Sequence, residues 1–438
     1  MDSRPNSTSN RRRTALLHFW QGRLLIWLGA VGVGLIAVLF AEISEAAVRG
    51  FRGISAAAWW WPLLACPAGG AFVVWIMRQH FMGAESSGIP QTLAEIHHDR
   101  HPPAGWRPLL SLKIALGKVA LCTTALFSGF SVGREGPMVQ IGAAIMHSLH
   151  GRLPRRLNIQ RKHLITAGGA AGIAAAFNTP LAGIMFAIEE LNRGLDQRMS
   201  GLLIVAIIIA GITSHVILGD TSYFGWVSYT GLKSQLQILW ILLIAIACGL
   251  AGGLFARLLL LATAPTGPFF NAFRARRPVL FAAICGLLIA IVGLLSDYSA
   301  FGTGYVETRD LFENDAQLPW HFGLDKFVVT LLSSASGVPG GIFAPALAIG
   351  AGIGNNIAPF LTDELMSGTV LMLCTAGFLA AVIQAPITAF IIVMEMVSGY
   401  GIVFDLMVVS LLASVVSRTI CPPLYRTLAR RLTHPAPR

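Results

Sequence analysis

The chain has 438 residues, of which 12% are charged and 55% hydrophobic, and its formal net charge is +11. Ordinary soluble domains carry about 25% charged residues, so a soluble chain of this length could not cover its surface. With a mean hydropathy of +0.67, the composition also excludes a disordered chain and a disulfide scaffold, and leaves an all-α polytopic membrane protein.

The segment 1–22 carries Arg11, Arg12 and Arg13 and is expected to be a cytoplasmic N-terminal segment. The apolar run 24–41 is too long for the core of a secretory signal and reads as a first membrane helix. Further apolar stretches lie near 55–77, 109–131, 138–150, 164–190, 200–219, 237–263, 278–296, 324–365, 368–399 and 403–418. Several are cut at Gly136-Pro137, Asn178-Thr179-Pro180, Gly340-Gly341 and Ala385-Pro386 into pieces too short for a hydrocarbon core of about 30 Å. Broken backbone at membrane depth survives only where it is buried in protein or lines a cavity, so the breaks point to a transporter or channel.

The cations are mostly arginines in short clusters between apolar runs, which reads as a topology signal and not as a nucleic-acid surface. The clusters are Arg11 to Arg13; Arg100, Arg107 and Lys113; Arg152, Arg155, Arg156, Arg161 and Lys162; Arg274, Arg276 and Arg277; and Arg426, Arg430 and Arg431. They are expected to be cytoplasmic, which puts both termini inside and an acidic loop with Asp297, Glu307, Asp310, Glu313 and Asp315 outside. The expected organisation is a first membrane repeat over 23–219, an external connection over 220–236 and a second repeat over 237–425. A short cytoplasmic tail over 426–438 leaves no room for a regulatory domain.

The repeat is legible within the single chain. Ala-Ala-Ala-Phe-Asn-Thr-Pro180, with Glu189 following, returns as Ala-Ala-Val-Ile-Gln-Ala-Pro386, with Glu395 following, at an offset of 206. Pro137 and Pro345 each open the pattern P-x-x-x-I-G-A at an offset of 208, and Thr166-Ala-Gly168 returns as Thr375-Ala-Gly377 at 209. Paired interrupted segments in two halves point to a midplane binding site between repeats. Glu189 and Glu395 hold equivalent places at helix ends and are expected to be structural.

Three segments share one design: Ser86-Ser87-Gly88-Ile89-Pro90, Gly133-Arg134-Glu135-Gly136-Pro137 and Gly340-Gly341-Ile342-Phe343-Ala344-Pro345. Each is a Gly-rich bend followed by Pro, which favours the first helical turn. A helix start leaves backbone N–H groups free at a positive dipole end, and several converging starts make an anion site. Glu135 is an ionisable residue among broken helices, which is functional by default. Lys118 sits inside an apolar run, where it must be paired, snorkelling or lending positive potential. The six cysteines form no CxxC pair and read as buried thiols, and the run His97-His98-Asp99-Arg100-His101 has no companion cluster, so no metal site is expected.

With Pro423-Leu424-Tyr425 near the end, these motifs resemble those of the CLC chloride channels and chloride/proton antiporters, in the family's order over nearly the whole chain. The resemblance is strongest to the short bacterial ClC-type members. It implies an inverted repeat with broken helices meeting at a midplane anion site. Ser87 and Tyr425 would offer hydroxyls to a chloride, and Ile342 and Phe343 backbone N–H groups. Glu135 would be the external gate and Glu190 an internal proton relay. Gly88, Pro90, Gly133, Arg134, Gly136, Pro137, Gly341, Ala344 and Pro345 would shape the motifs. The resemblance further implies a non-enzymatic homodimer in a bacterial inner membrane, with chloride and protons as transported ions and no cofactor. A passive voltage-gated chloride channel and a carrier of another anion stand as alternative readings. One departure is Ser86, where the family more often has Gly; it is expected to tighten or shift that loop.

Overall fold

A computed structural model describes residues 6–97, 108–154, 159–192, 200–219, 224, 235–265, 269–313, 317–361, 366–397 and 399–433. Arg100, Arg107, Arg155, Arg156, Asp315, the run His98 to His101, most of the connection 220–236 and residues 434–438 lie outside the described residues.

Eight helices come first: α1 (Asn6–Ala57), α2 (Trp61–His80), α3 (Ile89–His97), α4 (Leu112–Phe127), α5 (Glu135–Ser148), α6 (Arg161–Phe177), α7 (Pro180–Phe186) and α8 (Ser200–Leu218). The same succession returns as α9 (Gln235–Ala262), then, after a short α10 (Phe269–Arg276), α11 (Pro278–Leu295), α12 (Tyr305–Glu313), α13 (Phe322–Ser336), α14 (Phe343–Ile357), α15 (Ser367–Ile383), α16 (Pro386–Met396) and α17 (Val403–Ile420). A final helix, α18 (Leu424–Thr433), packs on α3 and α9. Among the described residues six helices are long and apolar enough to cross a membrane.

The packing repeats with the sequence. α5 lies on α6 as α14 lies on α15, and α2 and α11, one from each half, pack together. Gly142 of α5 and Gly168 of α6 meet backbone to backbone, where any side chain would clash. The breaks have local causes. α6 and α15 both end in a left-handed residue, Asn178 at φ 56° and Gln384 at φ 54°, and Pro180 and Pro386 then open α7 and α16.

The two carboxylates expected to be structural cross between the halves. Glu395 accepts from the N–H groups of Leu181 and Ala182 at 3.2 and 2.9 Å, at the start of α7. Glu189 accepts from the N–H groups of Ile387 and Thr388 at 3.2 and 2.8 Å, at the start of α16. Each half thus caps the other's short helix, which satisfies orphan donors and opposes the dipole.

One expectation is corrected and three segments are defined further. α1 runs unbroken from Asn6 through the segment 1–22 and at 1.5 Å per residue is roughly 78 Å long. Within the apolar stretch 55–77 the chain breaks between Ala57 and Trp61. The acidic loop is largely helix α12, where buried Glu307 pairs with Arg52 of α1. Residues 426–433 of the expected tail belong to helix α18, whose Arg431 donates to Leu260 O at 3.0 Å. All six cysteines are free and buried, as expected.

Candidate anion site

The three Gly-Pro segments meet at one junction, fastened by backbone hydrogen bonds. Gly133 and Gly341, equivalent residues of the two halves, exchange both bonds at 2.7 Å as an isolated antiparallel bridge. Gly340 N–H donates to Ser86 O at 3.1 Å, which ties in the serine loop. A Cβ on Gly136 would lie 3.0 Å from Ser87 and 3.2 Å from Gly341, so the absence of a side chain lets the three segments approach without displacement. Gly88, at φ 93°, packs against Gln140 and Gly136.

This bonding consumes the N–H groups of Gly133, Gly340 and Gly341 and leaves the next ones open. Ile342 caps α14 and Phe343 is its first residue; both are buried, and their N–H groups donate to no other described group. An unpaired buried donor costs about 1–3 kcal/mol, so two adjacent ones mark a seat for an acceptor. Ala344 and Pro345 complete the first turn, and Pro345 brings no donor of its own.

Ser87 and Tyr425 stand at the same place. A cavity of about 20 Å³ is lined by Ser87, Ile342 and Tyr425, with Gly340 and Ser334 beside them, which is room for one water-sized occupant. Tyr425 is 2% exposed, and its hydroxyl has no partner among the described residues. Ser87 Oγ accepts a long 3.4 Å bond from Ile89 N–H, which leaves its own proton to donate. The Phe343 ring stacks on Tyr425 with centroids 6.2 Å apart and packs against Phe177 and Phe186, so the tyrosine ring is backed by an aromatic cluster.

Glu135 is the first residue of α5 and has no solvent exposure. Its Oε1 accepts from the Tyr305 hydroxyl at 2.7 Å, and its Oε2 has no partner among the described residues. The carboxylate folds back over Gly133, where it lies against the position a side chain would fill. Arg134, also buried, donates to Ala41 O and to Glu45, both at 3.1 Å, and covers the Tyr305 ring. Glu190 is buried in a wide π turn, Ala187–Leu191, at the end of α7, a distortion common at functional sites. Tyr425 lies within electrostatic reach of both Glu135 and Glu190.

Lys118 does not snorkel. It is fully buried, and its Nζ donates to the carbonyls of Ala84, Glu85 and Ser86 at 2.8, 3.1 and 2.7 Å. It therefore folds the loop that presents Ser87. Ser86 sits at φ 58°, a left-handed conformation that glycine adopts freely and serine does not, which is why this position favours Gly. Pro90 lies in the first turn of α3. Two residues escaped the sequence reading. Lys326 lies 208 residues after Lys118, at a repeat offset already in hand. Tyr305 carries no local signal, since its partner is 170 residues away.

Fold and site together define a polytopic membrane protein of two like halves, joined around a buried junction that presents free amides and hydroxyls. The comparisons narrow this class. Residues 69–418 match the family model described as voltage gated chloride channel. The H(+)/Cl(-) exchange transporter ClcA of Citrobacter koseri is 30% identical over 93% of this chain and 89% of its own. The ClcA of Vibrio parahaemolyticus is 30% identical over 82% and 78%. The fold is that of a slow cyanobacterial Cl⁻/H⁺ antiporter, with a TM-score of 0.79, 24% identity and 93% and 97% of the two chains covered. It is also that of a CLC-type fluoride/proton antiporter, with a TM-score of 0.74, 22% identity and 94% and 98% covered. The chain belongs to the voltage-gated chloride channel (CLC) family.

Proposed function

We propose that this protein moves chloride across a membrane in exchange for protons. The observation that carries the reading is the pair of unclaimed buried amides at Ile342 and Phe343, of which Ile342 lines the same cavity as Tyr425, whose hydroxyl has no partner among the described residues, next to a carboxylate at the start of α5. Chloride accepts from the amides of Ile342 and Phe343 and the hydroxyls of Ser87 and Tyr425. Glu135 is a tethered anion that competes for the same donors, and protonation removes its charge and frees the site. Glu190 passes the proton between the cytoplasm and the gate. Names borne by relatives at 30% identity support exchange over a passive channel.

In this reading the protein is a homodimer in a bacterial inner membrane with both termini cytoplasmic, and each subunit holds its own anion path between lipid-facing helices. The repeats span 23–219 and 237–425, joined by an external connection over 220–236. Supporting roles fall to Gly88, Pro90, Gly133, Arg134, Gly136, Pro137, Gly341, Ala344, Pro345 and Lys118. The transported ions, chloride and protons, are the only small partners required.

The test is simultaneous chloride and proton flux from purified protein in liposomes. A chloride gradient is expected to drive uphill proton movement. Glu190→Gln keeps shape and hydrogen bonding but cannot carry a proton, so it is expected to lose proton flux and retain chloride flux. Absence of chloride-driven proton movement in the unaltered protein would favour the passive channel.

A further inference from the structure

We propose that Tyr305 is a positioning residue that latches the Glu135 gate, its hydroxyl holding the carboxylate closed. The proposal rests on the reading of Glu135 as a gate.

The loop carrying Tyr305 is a structural twin of the Ser87 loop, 216 residues on. Gly302 and Gly304, at φ 68° and 86°, match Ser86 and Gly88, at 58° and 93°. Thr303 Oγ1 accepts from Tyr305 N–H at 3.4 Å, as Ser87 Oγ accepts from Ile89 N–H at 3.4 Å. Thr308 bonds Gly304 O as Thr92 bonds Gly88 O. Lys326 Nζ donates to the carbonyls of Ala300, Phe301 and Gly302 at 3.0, 3.2 and 2.8 Å, the counterparts of those that Lys118 holds. The same scaffold, with the same buried lysine, has been built twice.

The difference lies in what each loop presents. Tyr305 stands where the first loop has Ile89, and its hydroxyl donates to Glu135 Oε1 at 2.7 Å. Its ring is fixed by the Arg134 guanidinium 5.6 Å from the ring centre and by Phe224 at 6.0 Å. Lys326 fixes the loop, so the hydroxyl is held in place with little entropy left to lose. The anion served by the second loop is thus the gate's own carboxylate.

Tyr305 also lines a cavity of about 420 Å³, with Thr303, Arg134, Arg52, Glu45 and Ser44. Glu135 is fully buried and does not line this cavity, whereas both its sequence neighbour Arg134 and its hydrogen-bond partner Tyr305 do. A hydroxyl donates more strongly to a charged acceptor than to a neutral one, so the latch grips the ionised gate and releases the protonated one. The charged and titratable groups around the gate and its tyrosine include Arg134, Lys118 and Cys122 on α4, Tyr425 on α18, Glu190 in the π turn, Lys326 under the Tyr305 loop, the Arg52–Glu307 pair, and Glu42, Glu45, Arg49 and Arg309 on the cavity. None is altered by removing one hydroxyl.

The experiment is Tyr305→Phe, which keeps the ring against Arg134 and Phe224. Chloride flux is measured in liposomes against external pH, in the unaltered and Glu135→Ala backgrounds. The expected result is a midpoint moved up by about one pH unit, the tenfold change that loss of a hydrogen bond to a charged group brings. In Glu135→Ala the profile is expected to be flat, with or without the tyrosine hydroxyl. A flat Glu135→Ala profile with an unmoved midpoint in Tyr305→Phe would overturn the latch and leave the gate standing. An unaltered pH profile in Glu135→Ala would overturn the gate, and the latch with it. Equal shifts from Tyr305→Phe in both backgrounds would show that the hydroxyl acts elsewhere and overturn the latch alone.

Discussion

The starts of α5 and α14 are the same structure with opposite contents. Both follow a glycine of the Gly133–Gly341 bridge, and both run into proline in the first turn. At the first helical position, 208 residues apart, one has Glu135 and the other Phe343. The α14 start keeps its amides unclaimed, with Ile342 on a cavity, whereas the α5 start carries an acid. A helix start is a general seat for negative charge, and the residue in first position decides whether the protein supplies the occupant or leaves the seat for an ion. The two halves thus present two like seats, one filled by the chain's own acid and one left open.

The strongest way to break the comparison is to empty the α5 seat. Glu135→Ala is expected to leave chloride transport running and reduce chloride-driven proton movement to background. Persistent uphill proton pumping by that variant, read with a pH electrode, would remove Glu135 from the gate.

A second way is to loosen one twin loop at a time. Lys118→Met strands three buried carbonyls and is expected to cost about 2–4 kcal/mol, seen as a lower melting temperature in detergent. Lys326→Met should cost a similar amount, since it holds the same three positions of the other loop. The functional effects should differ: Lys118→Met is expected to alter anion discrimination, and Lys326→Met the pH midpoint of flux. Identical functional effects would deny the loops separate tasks.

The smallest expected effect is at Ser86. Ser86→Gly removes a left-handed strain of about 1–2 kcal/mol but adds flexibility to the unfolded chain worth about 0.5–1 kcal/mol. A gain of about 0–1.5 kcal/mol is expected, with transport unchanged. A loss of stability would mean that the Ser86 side chain contributes contacts of its own.

The parts legible in the sequence were those written in glycine and proline. Gly133, Gly136, Gly341, Pro137 and Pro345 are nearly irreplaceable where backbones touch or helices start, so the junction and the duplication both show in one chain. Length and hydropathy locate apolar helix but not its ends, which is why the start of α1 at Asn6 and the break after Ala57 were missed. Lys326 was missed because the repeat was traced through small residues and not through a lysine, although the offset pointed to it. Tyr305 was beyond reach, since a hydroxyl's partner across 170 residues leaves no mark on its neighbours. Glu189 and Glu395 were placed as a structural pair, but only the fold reveals that each serves the opposite half.

The most direct measurement is anomalous diffraction from crystals soaked in bromide, a heavier stand-in for chloride, with the unaltered protein and Glu135→Gln. The account predicts one peak in the unaltered protein, at the α14 start among Ile342, Phe343, Ser87 and Tyr425. Glu135→Gln, with the competing charge gone, should show a second peak at the α5 start. An unaltered protein with no bromide at the α14 start would contradict the account, as would a Glu135→Gln variant whose α5 start stays empty.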